Sequence, residues 1–270
     1  MKKHPFFILG IICFTLILSC NQPQPATEPE KSSNDYLLAA TLYPQQSAEL
    51  QALCLQAYNI ARRNMEDIYD TATDLSRLAI VLDLDETVLD NSPFEAQSIL
   101  DSLPYPHGWD AWMYAASAKA LPGAVDFLKS VMDKGVQVFY ITNRREKYRA
   151  ATVENLEKLG IAPADSSHLL LLMEESSKEP RRQKVLENYQ IVMLFGDNLV
   201  DFAAAFDGNP STARRAEVTD SLKYAFGSRF IVFPNVMYGD WLNAITDYDH
   251  SLTQEQKLNK YKAILEGFEY

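Results

Sequence analysis

Ile80-Val81-Leu82-Asp83-Leu84-Asp85-Glu86-Thr87-Val88-Leu89-Asp90-Asn91 is the stretch whose reading decides the fold. Residues 79–82 are apolar, too few for a typical helix and the right number for a buried strand. Two carboxylates separated by one residue follow at once. In extended chain, residues i and i+2 share a face, so Asp83 and Asp85 can look into one cavity. In open α/β sheets the ligand crevice lies just outside the carboxyl ends of the strands. Two acids kept there are costly unless they serve a site.

The same pattern recurs outward from this stretch. A second strand over 136–141 ends in Thr142-Asn143-Arg144. A third, over 169–173, leads to Ser176-Ser177-Lys178-Glu179-Pro180-Arg181-Arg182. A fourth, over 191–195, runs into Gly196-Asp197-Asn198-Leu199-Val200-Asp201, and a fifth, over 230–233, precedes Pro234-Asn235-Val236-Met237-Tyr238-Gly239-Asp240-Trp241. Amphipathic or capped helices are predicted over 47–69, from 121 through 132, over 146–159 with Gly160 as the stop, after Lys178, and over 254–268. Strands alternating with helices predict an α/β fold, a doubly wound parallel sheet with helices on both faces. The aromatic-rich segment 92–120 is long enough only for a small helical cap. Parallel strands gather Asp83, Asp85, Thr142, Asn143, Lys178, Asp197 and Asp201 along one edge. So many carboxylates beside one lysine call for a hard cation, and Mg²⁺ is usually held by one or two carboxylates plus a phosphate oxygen.

Composition narrows the function. The chain has 270 residues, 47% of them hydrophobic and 11% aromatic, enough for one generous domain with appendages. A net charge of −11 argues against a nucleic-acid partner gripped through its phosphates. Residues 1–19 have a basic start and a short apolar run ending Ile17-Leu18-Ser19-Cys20, which reads as a lipoprotein signal peptide with Cys20 as the lipidated residue. Residues 20–44 are expected to be a tether, the stretch 21–34 being rich in Pro, Gln, Glu and Ser, and the folded domain is expected over 45–270. Asn21 after the cysteine points to the outer membrane by the sorting rule of many Gram-negative bacteria. Of three cysteines, Cys13 leaves with the signal and Cys20 carries lipid, so Cys54 is unpaired, a small buried hydrophobe among leucines.

The edge set can perform phosphomonoester hydrolysis. One carboxylate attacks phosphorus to form an aspartyl-phosphate, and a second acid protonates the leaving oxygen and then activates water. A hydroxyl and an ammonium meet the equatorial phosphate oxygens. Asp-x-Asp-x-Thr, a strand-ending Thr, a Lys and Gly-Asp-Asn-x-x-Asp follow the order of the four motifs of the haloacid dehalogenase superfamily. The stretches 81–91 and 192–202 resemble, more narrowly, the paired signatures of the bacterial class C acid phosphatases, which are lipoproteins. The resemblance covers roughly residue 45 to the end. It implies Asp83 as nucleophile, Asp85 as acid/base, and Thr142, Asn143 and Lys178 as phosphate binders. It further implies Mg²⁺ on Asp83, the backbone carbonyl of Asp85 and Asp197, with Asp201 supporting the loop. A homodimer, and an aromatic clamp for a nucleoside 5′-monophosphate drawn from Trp109, Trp112 and Tyr238, are also implied. The first signature usually continues to a Tyr where this chain has Phe94.

Several residues carry plainer readings. Tyr58 belongs to the core or the surface rather than a ligand, Trp112 serves either the packing of the cap or base stacking, and Arg181-Arg182 form a solvated helix face. The histidines make no ligand set. Two alternatives to a hydrolase stand: a surface-anchored lipoprotein that binds a nucleotide or haem with little turnover, and a phosphotransferase.

Overall fold

The structure, a computed structural model, describes residues 35–163 and 165–268. The signal peptide, Cys20 and the proposed tether up to residue 34 lie outside the described residues. Strands are β1 (Leu78–Leu82), β2 (Leu89–Asp90), β3 (Lys119–Ala120), β4 (Gln137–Arg145), β5 (Leu169–Leu172), β6 (Gln190–Gly196) and β7 (Phe230–Val232). Five of them form the expected parallel sheet in the order β5-β4-β1-β6-β7, with the acid-bearing β1 at its centre. β2 and β3 form a separate antiparallel ribbon.

Alternation along the strands sorts the core into two layers. Ile80, Leu82, Val138, Tyr140, Met193 and Phe195 face α2 (Ala48–Thr71), α5 (Ala124–Asp133) and α6 (Arg149–Leu159). Ala79, Val81, Phe139, Ile141 and Leu194 face α7 (Glu179–Leu186) through Val185, together with Phe202. The Ser47 hydroxyl caps α2 by accepting from the Leu50 N–H at 3.1 Å, and Leu50, Cys54, Ala57, Tyr58, Ala61 and Met65 form its buried stripe. Tyr58 packs its ring on Phe127 and Phe233, and its hydroxyl donates to the Thr87 carbonyl at 2.8 Å. It is thus a core residue that also pins the loop after β1. Cys54 is buried and unpaired, and burial pushes its thiol up to about 11. Gly160 ends α6 in the left-handed conformation at φ +71°, which favours glycine.

The cap consists of α3 (Ser92–Asp101) and α4 (Trp109–Ala115), and the β2·β3 ribbon closes it at its base. Three expectations need correction. Order begins before residue 45, because α1 (Leu38–Gln46) buries Thr41, packs Tyr43 against the core and lies along α3. Its outward leucines, Leu38 and Leu42, hid this packing from a periodicity reading. The second strand continues past Ile141 to Arg145, still paired with β5 after an irregularity, because Thr142 and Arg144 find buried partners. The last helix, α10 (Gln254–Ala263), stops short of residue 268. Besides α1, two helices had no sequence prediction: α8 (Thr212–Ser221), which is largely polar and announced only by its Ser211 cap, and the short α9 (Asp240–Ile245). No helix among the described residues is long and apolar enough to cross a membrane.

On α3, burial raises the Glu95 carboxyl from its usual 4.5 to about 7. The folded state therefore holds a proton that the unfolded chain has lost between these two values. This contribution to stability is fully present below pH 4.5 and is lost as pH rises through 7. Glu95→Gln is expected to stabilise the protein at pH 8 by about 2 kcal/mol and to flatten this part of its pH dependence, as read by urea unfolding at several pH values.

Candidate active site

Asp83 leaves the end of β1 with its backbone N–H donating to the Phe195 carbonyl at 3.0 Å, which ties it to the neighbouring β6. The chain then turns tightly. The N–H groups of Thr87, Val88 and Leu89 all return to the Leu84 carbonyl, and Glu86 takes a positive φ of 56°. The Glu86 carboxylate is buried and accepts from the Asn91 backbone at 2.8 Å, which holds the turn.

Lys178, 4% exposed, reaches this turn from the start of α7. Its ammonium lies 2.5 Å from Asp83 Oδ1 and 2.6 Å from Asp201 Oδ1. Burial alone would lower the lysine pKa, but the two carboxylates override it and raise it. Asp201 Oδ2 accepts from the Asn198 backbone at 3.0 Å, so both its oxygens are used. Asp197 accepts from Asn235 Nδ2 at 2.8 Å through Oδ2. Asp83, Asp197 and Asp201 each offer a carboxylate oxygen within 4.8 Å of the others.

Burial is the largest influence on Asp83, which is raised to about 7 against the pull of Lys178, with Asp201 and Asp85 adding repulsion. Burial, then Asp201 and Asp83, likewise raise Asp197 well above the carboxylate range. Acids so placed fit a hard divalent cation, whose charge would oppose both shifts. Asp201 has a partner on each oxygen, so Asp83 Oδ2 and Asp197 Oδ1 are the carboxylate oxygens most open to it.

Asp85 faces a different partner. Arg144 grips it with two nitrogens, Nη2 to Oδ1 at 2.6 Å and Nε to both oxygens at 3.0 and 3.1 Å. Asn91 Nδ2 adds a bond at 2.6 Å. Burial would raise Asp85, yet the arginine and the amide outweigh it and hold the acid below its usual value. Its carboxylate is thus turned from the acidic cluster, which leaves the backbone carbonyl for any role toward a cation. The buried Thr142 hydroxyl accepts from the Arg144 N–H at 3.2 Å. Asn143 is exposed, and its side chain accepts from Arg181 at 2.7 Å.

Arg181 and Arg182 are not a solvated face: they are 7% and 4% exposed. Hydrogen-bonding carbonyls of the surrounding loops draw both inward. Of the aromatic residues, Trp109 packs edge-on against Phe94 at 4.9 Å, and Trp112 donates its indole N–H to Asn91 Oδ1 at 2.8 Å, so both serve the cap. Phe94, 5% exposed, is part of that packing. Tyr238 is half-buried in the loop that Asn235 orders by accepting from the Met237 and Tyr238 N–H groups.

Residues 15–241 match the family described as HAD superfamily, subfamily IIIB (acid phosphatase). The chain belongs to this family. Among solved structures it is similar to the class C acid phosphatase of Bacillus anthracis with tungstate bound, at 43% identity and a TM-score of 0.83, covering 87% of this chain and 98% of that one. A second structure of the Bacillus anthracis class C acid phosphatase matches at 40% identity and a TM-score of 0.82, with the same coverage. Among characterised proteins, acid phosphatase 1 of Solanum lycopersicum is 27% identical over 65% of this chain and 69% of its own length. Vegetative storage protein 2 of Arabidopsis thaliana is 25% identical over 62% of each. The chain is an acid phosphatase, a hydrolase of phosphomonoesters.

Four site residues of this phosphatase escaped the sequence reading. Arg144 had a signal, a charge directly after the strand-ending Thr142-Asn143. Asn91 lay inside the quoted signature with no role given. Arg181 had none, because a basic pair on a short helix reads as solvated. Asn235 had none either.

Gly196, at the end of β6, has space for no other residue: an added Cβ would overlap the Asp201 carboxylate. Gly196→Ala is therefore expected to push Asp201 off Lys178, costing about 2 kcal/mol of stability in urea unfolding and more than about tenfold in kcat/KM.

Proposed function

We propose that this acid phosphatase is an exported Mg²⁺-dependent enzyme that works through an aspartyl-phosphate and accepts nucleoside 5′-monophosphates. The observation that carries the reading is the buried Lys178 bridging Asp83 and Asp201 beside Asp197. The donor set of carboxylates fits Mg²⁺, which would supply charge neutralisation between an anionic nucleophile and an anionic ester.

Asp83 attacks phosphorus through a carboxylate oxygen while the P–O bond to the leaving group breaks, and the phosphoryl group stays on Asp83. Asp85, held as a carboxylate by Arg144 and Asn91 in the free enzyme, takes up a proton as the anionic ester binds beside it, gives that proton to the departing oxygen and takes one from the water that releases phosphate. Lys178 and the Thr142 hydroxyl meet the equatorial oxygens as charge develops on them. Asn143 sits at the mouth of this cradle.

Tyr238 and the cap aromatics are the side chains proposed to stack a base. Because Trp109 and Trp112 are engaged within the cap, the main stacking surface falls to Tyr238. The lipobox around Cys20 supports a lipid anchor in the cell envelope, at the outer membrane by the residue that follows. Kinship with the class C enzymes supports a homodimer.

The wild-type protein is expected to release phosphate from adenosine 5′-monophosphate and from an aryl phosphate, and EDTA should abolish both activities until Mg²⁺ is returned. Asp83→Asn should lower kcat by about a thousandfold or more, and full activity in that variant would sink the nucleophile assignment. Tyr238→Ala should raise KM for adenosine 5′-monophosphate by about tenfold while leaving KM for glycerol phosphate within about twofold, in keeping with ~1–3 kcal/mol per stacked base.

A further inference from the structure

We propose that Arg181 and Arg182, neighbours at the start of α7, divide the positioning of the active site: Arg181 holds the phosphate-gripping loops and Arg182 the loop that carries the acidic cluster. The inference rests on reading Thr142 and Lys178 as the phosphate grip and Asp197 as a cation ligand.

Successive helical residues diverge by about 100° around the axis, so the two guanidinium groups reach in different directions. Arg181 donates Nη1 to the Thr142 carbonyl at 2.7 Å, and Nη2 to Asn143 Oδ1 at 2.7 Å and to the Ser176 and Ser177 carbonyls at 3.2 and 3.1 Å. One planar group thereby joins the end of β4 to the two residues before Lys178. Arg182 donates Nη1 to the Val200 and Asp201 carbonyls at 3.0 and 2.9 Å. Those carbonyls belong to the turn that presents Asp201 next to Asp197.

The charges also differ. Arg182 carries its own counter-ion, Glu179, at 2.7 Å. Arg181 has no carboxylate within ion-pair distance among the described residues, and its four acceptors are neutral oxygens. A buried guanidinium without a counter-ion is costly, and this one adds positive potential beneath the phosphate cradle. Lysine in its place would keep the charge but lose the fork that spans these four acceptors.

The test uses full-length protein carrying Arg181→Lys, Arg181→Gln, Arg182→Lys or Arg182→Gln. Competitive inhibition by inorganic phosphate reads the grip, and calorimetric titration of Mg²⁺ without substrate reads the cation loop. Arg181 variants are expected to weaken phosphate inhibition by about tenfold or more, Gln further than Lys, with Mg²⁺ affinity kept within about twofold. Arg182 variants should do the reverse, with Mg²⁺ affinity falling by about tenfold or more, the scale of losing an outer partner of a metal ligand. Equal loss of both affinities in every variant would overturn the division of labour. So would unchanged affinities with only a lowered melting temperature. If a Gln variant fails to fold, the Lys pair decides. Wild-type protein that neither releases phosphate from esters nor binds Mg²⁺ would overturn the reading of the site itself, a separate result.

Discussion

A lysine ammonium buried between two carboxylates is the constraint on which the rest of the structure depends. Lys178, Asp83 and Asp201 are all removed from water, and Asp197 stands close by. Desolvating such a set costs several kcal/mol per ion, and mutual attraction offsets this only when the geometry is tight and every remaining donor is met. The fold supplies that geometry from three directions. β1 and β6 run side by side and fix Asp83 against Phe195, Gly196 lets Asp201 come close to the strand, and α7 delivers Lys178 with two buried arginines behind it. The arrangement is poor value as a stabilising core and makes sense as a site.

Asp85 belongs to a second polar network, which among the described residues meets the first through the backbone. Arg144, Asp85, Asn91 and Trp112 form a continuous chain of hydrogen bonds from the end of β4 to helix α4 of the cap. The direction of the Asn91 amide follows from its neighbours: its nitrogen faces the carboxylates of Asp85 and Glu86, and its oxygen faces the indole N–H. Where the cap sits and how Asp85 is aimed are therefore one mechanical question. Phe94 joins this cap packing from the apolar side.

Most of the architecture was legible from short apolar runs ending in polar residues. These give strand and edge together, and they placed Asp83, Thr142, Lys178 and Asp197 on one side of the sheet. What could not be read shares a cause, since it depends on partners far along the chain. Arg181 and Arg182 look like surface charges until the carbonyls of residues 142, 176, 177, 200 and 201 converge on them. Arg144 ends a strand like any exposed residue until Asp85, 59 positions earlier, takes its fork. Helix α1 presents too little amphipathicity to be distinguished from a tether, because its buried face is one threonine and part of a tyrosine. The aromatic rim was read by type alone, and type does not reveal that Trp112 is tied by its indole nitrogen.

The small ribbon at the foot of the cap has a consequence for how the family can vary. Leu89 pairs with Ala120 and Asp90 with Lys119, so the inserted segment leaves and re-enters the sheet domain through two adjoining points. Closing a longer loop between fixed ends adds only about 0.6 kcal/mol per doubling of its length. A cap of another size or shape would meet the same two anchors and leave β1 undisturbed. The chemistry at the strand ends and the choice of leaving group are thus carried on separately replaceable parts, and new specificities can be tried without rebuilding the charged core.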